Sequence, residues 1–210
     1  MPDLLPLFPL PNVVLFPGVF LPLHIFEPRY REMVSDALDG DRMIGMMLLR
    51  RGWQGNYEGR PPVYPIGCSG VISHCERLGD GRFNIILRGI ERFRVVSEDH
   101  TRSYRRAVVD RLAEPEPAAH HRAGLHADRA KLESLLATDA DGGLDPRSAS
   151  AMSDADMVNA LAQYLDLDPI EKQALLEQPT VVERARALVE LLEMKSLLAR
   201  TPGGVSNIAH

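Results

Sequence analysis

Cysteine is scarce in this 210-residue chain, which contains only Cys68 and Cys75, and tryptophan occurs once. Two cysteines do not make a disulfide framework, and these lack the Cys-x-x-Cys spacing of a zinc site. We therefore expect two buried free thiols in a reducing compartment. The clustered histidines His120, His121 and His126 have no carboxylate or cysteine at matching spacing, so no metal site is predicted.

The sequence also lacks the motifs that accompany nucleotide binding and hydrolysis. It contains no G-x-x-x-x-G-K-[ST] phosphate loop, no G-x-G-x-x-G turn after a strand and no H-E-x-x-H zinc motif. Residues 67–70 begin like a nucleophile elbow, but Val71 stands where that turn requires glycine. We therefore predict that the chain is not an enzyme, has no catalytic residues and binds no cofactor.

Charge is distributed unevenly along the chain. The formal net charge is −5, which disfavours nucleic acid as a partner, because binding it requires cations that displace counterions from phosphates. Residues 1–112 contain 15 arginines, no lysine and 13 acids, whereas residues 113–210 contain 9 basic and 16 acidic residues. This shift predicts a domain boundary near residue 113.

No charged residue occurs between positions 4 and 23, a length that could span a bilayer. Five prolines interrupt this segment, and each interior proline costs a helix about 3 kcal/mol, so we expect buried extended chain instead. Residues 13–16 and 19–21 are the predicted strands, separated by a turn. Asp3 stands where a secretory signal would be positive, so we expect a cytoplasmic protein.

The first half of the chain otherwise reads as strands around one helix. Apolar residues at helical spacing predict a helix over residues 28–39, with Gly40 as its carboxyl-terminal cap. Alternating apolar residues predict strands over 66–78 and 82–88, and the turn at 79–81 predicts a β-hairpin between them. Strands followed by helices indicate an α+β fold, without the alternation of a parallel sheet.

The second half has the periodicity of helices. Ser153 and Thr180 each begin a predicted helix, since an acid three residues later completes a capping box. We predict a β domain over residues 1–113, a helical subdomain over 118–201 and a flexible tail over 202–210.

Two aromatic residues stand in the polar loop of residues 50–62, which also contains three glycines and two prolines. Trp53 and Tyr57 have no evident core to join from this loop, so they are candidate contacts with a partner. The alternative is that they fold back onto the domain and that Trp53 closes one end of it. The two interpretations differ in how much stability Trp53→Ala would remove.

Several short stretches occur together in a combination that characterises one family. They are Leu5–Leu10, Val14–Gly18, His24–Tyr30, Pro65–Gly67, Gly70–Ile72, Asp80–Arg82, Gly89–Phe93, Leu165–Glu177 and Val181–Arg184. In these stretches the chain resembles the amino-terminal, substrate-binding domain of the Lon proteases, over roughly residues 4–200.

The resemblance implies a fold and a role. The expected fold is a PUA-like antiparallel β pseudo-barrel with one inserted helix, followed by a small helical subdomain. Glu27, Pro28, Arg29 and Tyr30 match the helix-entry motif of the family, and we expect them to be structural, with Glu27 paired to an arginine of residues 88–94. The ATPase and Ser–Lys peptidase modules of complete Lon proteases are expected to be missing.

These expectations combine into one functional hypothesis and one rival. The hypothesis is a non-catalytic protein- and peptide-binding module, whose partners are polypeptide clients or a separate protease. The rival is an RNA-binding protein, because PUA-like folds often bind RNA and the first half is rich in arginine.

Overall fold

The structure of the chain is a computed structural model that describes residues 4–57, 59–138 and 152–200. Its first half contains β1 (Leu5–Leu10), β2 (Phe20–Ile25), α1 (Pro28–Asp39), β3 (Met43–Leu48), a 3-10 helix (Trp53–Asn56), β4 (Ile66–Arg77), β5 (Phe83–Asp99) and β6 (Arg105–Leu112). Its second half contains α2 (Ala119–Thr138), α3 (Asp154–Tyr164), α4 (Pro169–Leu176) and α5 (Val181–Arg200). The predicted α+β class and the predicted helix over residues 28–39 are confirmed.

The strands form a sheet that closes on itself. The order is β2-β5-β4-β3-β1-β6, and β5 also pairs with β6. Five strands therefore make a ring, while β2 is attached to the outside of β5 alone. The long strand β5 allows this closure, because its first part pairs with β2 and its last part pairs with β6. The pairings are antiparallel except that of β1 with β3, which is parallel.

The prediction of a strand over residues 13–16 is wrong, because the first strand lies earlier, at β1. Both prolines of β1 occupy positions with a single paired neighbour: Pro6 is opposite Arg106 of β6, and Pro9 is opposite Met47 of β3. Proline is compatible with a strand where its missing N–H faces no partner. Residues 14–16 are instead irregular but buried in the core.

The predicted hairpin is confirmed, since β4 and β5 pair on either side of the turn at residues 79–81. Tight packing inside the closed sheet requires glycine at two positions. A Cβ atom on Gly45 would lie 2.8 Å from the ring of Phe93, which is itself fully buried. Gly67 faces the same ring at 2.8 Å, so any side chain at either position would displace the core.

The described residues fall into two compact units, one within Met1–Pro115 and Asn159–Gln178, the other within Glu116–Val158 and Pro179–His210. Residues 159–178 thus belong with the barrel, although the sequence analysis placed them in the predicted helical subdomain. Gln173 donates to the carbonyl of Ile66 at 3.0 Å, and the backbone N–H of Phe16 donates to Gln163 at 3.2 Å. The boundaries predicted at residues 113 and 118 stay a prediction, and the predicted tail lies outside the described residues.

The other unit is built around α2 and α5. Lys131 of α2 pairs with Glu193 of α5 at 2.7 Å. The predicted capping box at Thr180 occurs, since Thr180 accepts from the N–H of Glu183 and its own N–H donates to the Glu183 carboxylate. At Ser153 the hydroxyl accepts from the N–H of Asp156, which is one of the two bonds of a capping box.

Two further findings concern the chain as a whole. Cys68 is buried, but Cys75 is only partly so, which corrects the expectation of two buried thiols. Within residues 4–57, 59–138 and 152–200, no helix combines the length and the apolar character that crossing a membrane requires.

Candidate functional site

The loop between β3 and β4 is closed at its base by backbone pairing. Leu49 bridges Val63, and the N–H of Arg50 donates to the carbonyl of Pro62 at 2.8 Å. Gly52 has a φ of 85°, a conformation that favours glycine, and it precedes the 3-10 helix that begins at Trp53. The loop therefore presents Trp53 and Tyr57 from a hydrogen-bonded base.

The helix-entry motif and this loop meet, so the two sets of predicted site residues form one cluster. The hydroxyl of Tyr57 donates to Glu27 at 2.5 Å, and the guanidinium of Arg29 donates to the carbonyl of Tyr57 at 3.2 Å. Arg29 also forms an ion pair with Glu27 at 3.0 Å. The expected pairing of Glu27 with an arginine of residues 88–94 is therefore wrong, because the carboxylate pairs with Arg29, two residues along the chain.

Aromatic rings enclose the guanidinium of Arg29. Its central carbon lies 4.7 Å from the ring centre of Tyr30 and 4.9 Å from that of Tyr57, which are cation–π distances. Burial raises the pKa of Tyr57, and its hydrogen bond to Glu27 acts in the same direction. Pro28 is the first residue of α1, where its missing N–H costs nothing. These contacts anchor the loop to the start of α1.

Trp53 lies beyond this anchored contact and is partly exposed. Its ring meets that of Tyr57 edge to face, with 5.4 Å between the ring centres. Trp53 also lines a cleft of about 390 Å³, the Trp53 groove. The remaining apolar and aromatic lining is Pro11, Leu48, Leu49, Tyr64, Pro169 and Ile170, and the charged lining is Arg51, Asp168 and Glu171.

A second cavity, of about 230 Å³, is lined by Tyr57 and by residues 102–105, which lead into β6. Its arginines are Arg29, Arg60, Arg102 and Arg105. Each of them already forms an ion pair with a carboxylate of the chain. This cavity therefore has little uncompensated positive charge with which to hold a phosphate or a nucleic-acid backbone.

The groove combines residues that the sequence analysis singled out with residues that it did not. Trp53 was a candidate contact, but the wall from Asp168 to Glu171 was missed. Asp168 and Glu171 form the capping box of α4, and a helix cap is what their spacing indicates. No signal in the sequence shows that α4 lies beside the loop of residues 50–62. Among the residues that the structure describes, no group of three or more His, Cys, Asp or Glu could hold a metal ion.

Comparison with known proteins identifies the class of domain to which this chain belongs. The family model of the ATP-dependent protease La (LON) substrate-binding domain matches residues 4–194. The chain therefore belongs to the LON substrate-binding domain family.

Individual relatives agree with this family. Lon protease 2 of Myxococcus xanthus is 26% identical over 199 residues, which is 93% of this chain and 24% of that protein. Lon protease of Trichlorobacter lovleyi is 27% identical, over 100% of this chain and 26% of that protein. The chain thus spans about a quarter of the length of these relatives.

Solved structures agree as well. The N-terminal domain of a Mycobacterium avium complex Lon protease has a TM-score of 0.66 at 18% identity, covering 90% of this chain and 98% of that one. A Lon N-terminal domain protein from Xanthomonas campestris has a TM-score of 0.58 at 26% identity, covering 95% and 99%. These neighbours confirm the expected fold.

Proposed function

We propose that the chain is a non-catalytic module that binds polypeptides, and that the Trp53 groove is its contact site. The observation that carries the proposal is a partly exposed indole beside an apolar cleft in a member of a substrate-binding family. The relatives are named as Lon proteases, and the matched part is their substrate-binding domain. The expected partners are polypeptide clients or a separate protease, in the cytoplasm.

The geometry of Trp53 supports this role. An indole that is neither fully buried nor free in solvent has apolar surface left to cover, and aromatic residues in this position dominate binding energy at interfaces. The loop that carries Trp53 is anchored through Tyr57 to Glu27 and Arg29, so little conformational entropy would be lost when a partner binds. The candidate contact and the family motif would thus act together, the motif by positioning the contact.

The Trp53→Ala variant tests the proposal, because the two interpretations of this residue predict different losses. As a contact, Trp53 contributes only its edge-on packing with Tyr57 to the fold, worth about 1 kcal/mol of unfolding free energy. Its removal should weaken polypeptide binding by about 2 kcal/mol, or roughly thirtyfold. A core role would instead cost about 3–5 kcal/mol of stability.

The measurement compares thermal unfolding with binding of a carboxymethylated, permanently unfolded lactalbumin followed by fluorescence anisotropy. Phe20→Ala is the matched control, because Phe20 is an exposed aromatic residue of β2 that does not line the groove. It should leave binding unchanged. A single-stranded RNA oligonucleotide serves as the second ligand. The proposal fails if the polypeptide does not bind or if RNA binds instead.

A further inference from the structure

Two of the three charged residues that line the Trp53 groove are acidic. Arg51 comes from the loop after β3, whereas Asp168 and Glu171 come from the beginning of α4. Between these charges the lining is apolar or aromatic. A ligand that places an apolar side chain inside would therefore bring its neighbouring residues close to two carboxylates and one guanidinium.

The two acidic residues also form the cap of α4. Glu171 accepts a hydrogen bond from the backbone N–H of Asp168 at 2.8 Å, and Asp168 accepts one from the first turn of α4. The carboxylate of Asp168 has more acceptor positions than its capping bond uses. Asp168 is exposed, and within the described ranges it forms no ion pair. Its charge is therefore available to a ligand.

The size of the groove limits what it can hold. A volume of about 390 Å³ lies near the lower end of the range for ligand pockets, which begins at about 300 Å³. It accommodates one large side chain with the adjoining backbone rather than the surface of a folded domain. An extended segment meets this requirement, because successive side chains alternate and only one enters the groove.

We infer that the Trp53 groove selects an extended polypeptide segment in which a large apolar residue is flanked by lysine or arginine. This inference rests on the proposed function and adds to it a preference for basic over acidic neighbours, the charge rule. Basic neighbours complement Asp168 and Glu171, whereas acidic neighbours are repelled by the same carboxylates.

Three synthetic peptides test the rule. Each is about nine residues long, or roughly 30 Å when extended, with a central phenylalanine between flanking lysine, glutamine or glutamate in a glycine–serine background. Trp53 is the only tryptophan of the chain, so its emission reports binding at the groove itself. At about 0.05 M salt the Kd should rise in the order lysine, glutamine, glutamate, by about tenfold in total.

Substitutions that keep the helix cap show whether the selectivity comes from the two carboxylates of the groove or from the net charge of the protein. Asp168→Asn combined with Glu171→Gln removes both charges but keeps residue types that can cap a helix at these positions. This variant should bind the three peptides within about twofold of one another, because the carboxylates that set the order are gone. Asp110→Asn is the control, since Asp110 is an exposed acid of the same unit outside the groove, and it should keep the order.

The outcomes distinguish this inference from the function on which it rests. Binding of all three peptides with equal affinity, reported by Trp53 emission, overturns the charge rule alone. An order that persists in the variant lacking both carboxylates also overturns it, because the selectivity would then come from elsewhere. No change in Trp53 emission with any peptide overturns the proposed function and the rule together.

Discussion

Replacing Arg92 by methionine should destabilise the barrel unit more than any change in exposed charge. Arg92 lies on β5 with only 4% of its surface exposed. Its guanidinium donates to the carbonyls of Leu176, at 3.2 Å, and Gln178, and it lies 3.6 Å from the carboxylate of Glu114. These carbonyls lie at and beyond the last residue of α4, where backbone acceptors have no partner inside a helix.

The loss of unfolding free energy can be estimated from the groups that Arg92→Met leaves without their partner. Methionine keeps most of the volume but leaves two carbonyls and a carboxylate without their cation. Breaking one side of a buried charged contact costs about 3–5 kcal/mol, which corresponds to a fall in Tm of about 10 °C for a chain of this size. Replacing the pair by apolar residues can be harmless, but here only the cation is removed.

Urea unfolding followed by Trp53 emission measures this loss, since Trp53 belongs to the barrel unit. Arg94→Met is the matched control. Arg94 is exposed on the same strand two residues away, so its replacement should change the unfolding free energy by less than about 0.5 kcal/mol. Equal effects of the two substitutions would refute the assigned role of Arg92.

Two further predictions concern the backbone and pH. In Gly89→Ala, the new Cβ would collide with the backbone carbonyl of Phe16, so calorimetry should show a loss of about 3 kcal/mol or more; a loss below about 1 kcal/mol would contradict the geometry. Because the pKa of Tyr57 is raised above 10.0, its contact with Glu27 should be complete below pH 10 and lost as pH rises through the folded pKa. Trp53 emission should then fall only above pH 10, and Tyr57→Phe should abolish that step while circular dichroism shows that the fold persists.

The elements that the sequence predicts correctly are those specified by neighbouring residues. The hairpin depends on the turn at residues 79–81, α1 on Pro28 and the apolar spacing that follows, and two helix caps on Ser153 and Thr180. Each signal is contained within a few positions of the chain, so local conformational preferences determine it.

The sequence is a poor guide where contacts with a distant part of the chain determine whether a side chain is buried. Arg92 and Arg94 alternate with Phe93 on β5 and so lie on one face of the strand, and Arg94 is exposed. Arg92 is nevertheless buried, because residues 176–178 cover that end of the strand. A local pattern shows which face a side chain takes, but not whether another element covers that face.

The Trp53 groove shows the same limit for function. Its walls come from the segment after β1, the loop after β3 and the beginning of α4, and no spacing in the sequence relates these parts. The sequence does indicate Trp53, because a large aromatic in a polar loop is unusual, and the resemblance indicates the residues that anchor it. Asp168 and Glu171 carry a signal that is already explained by helix capping. A residue whose identity is explained by helix capping can therefore also line a groove, and only the packing of α4 against the barrel shows that it does.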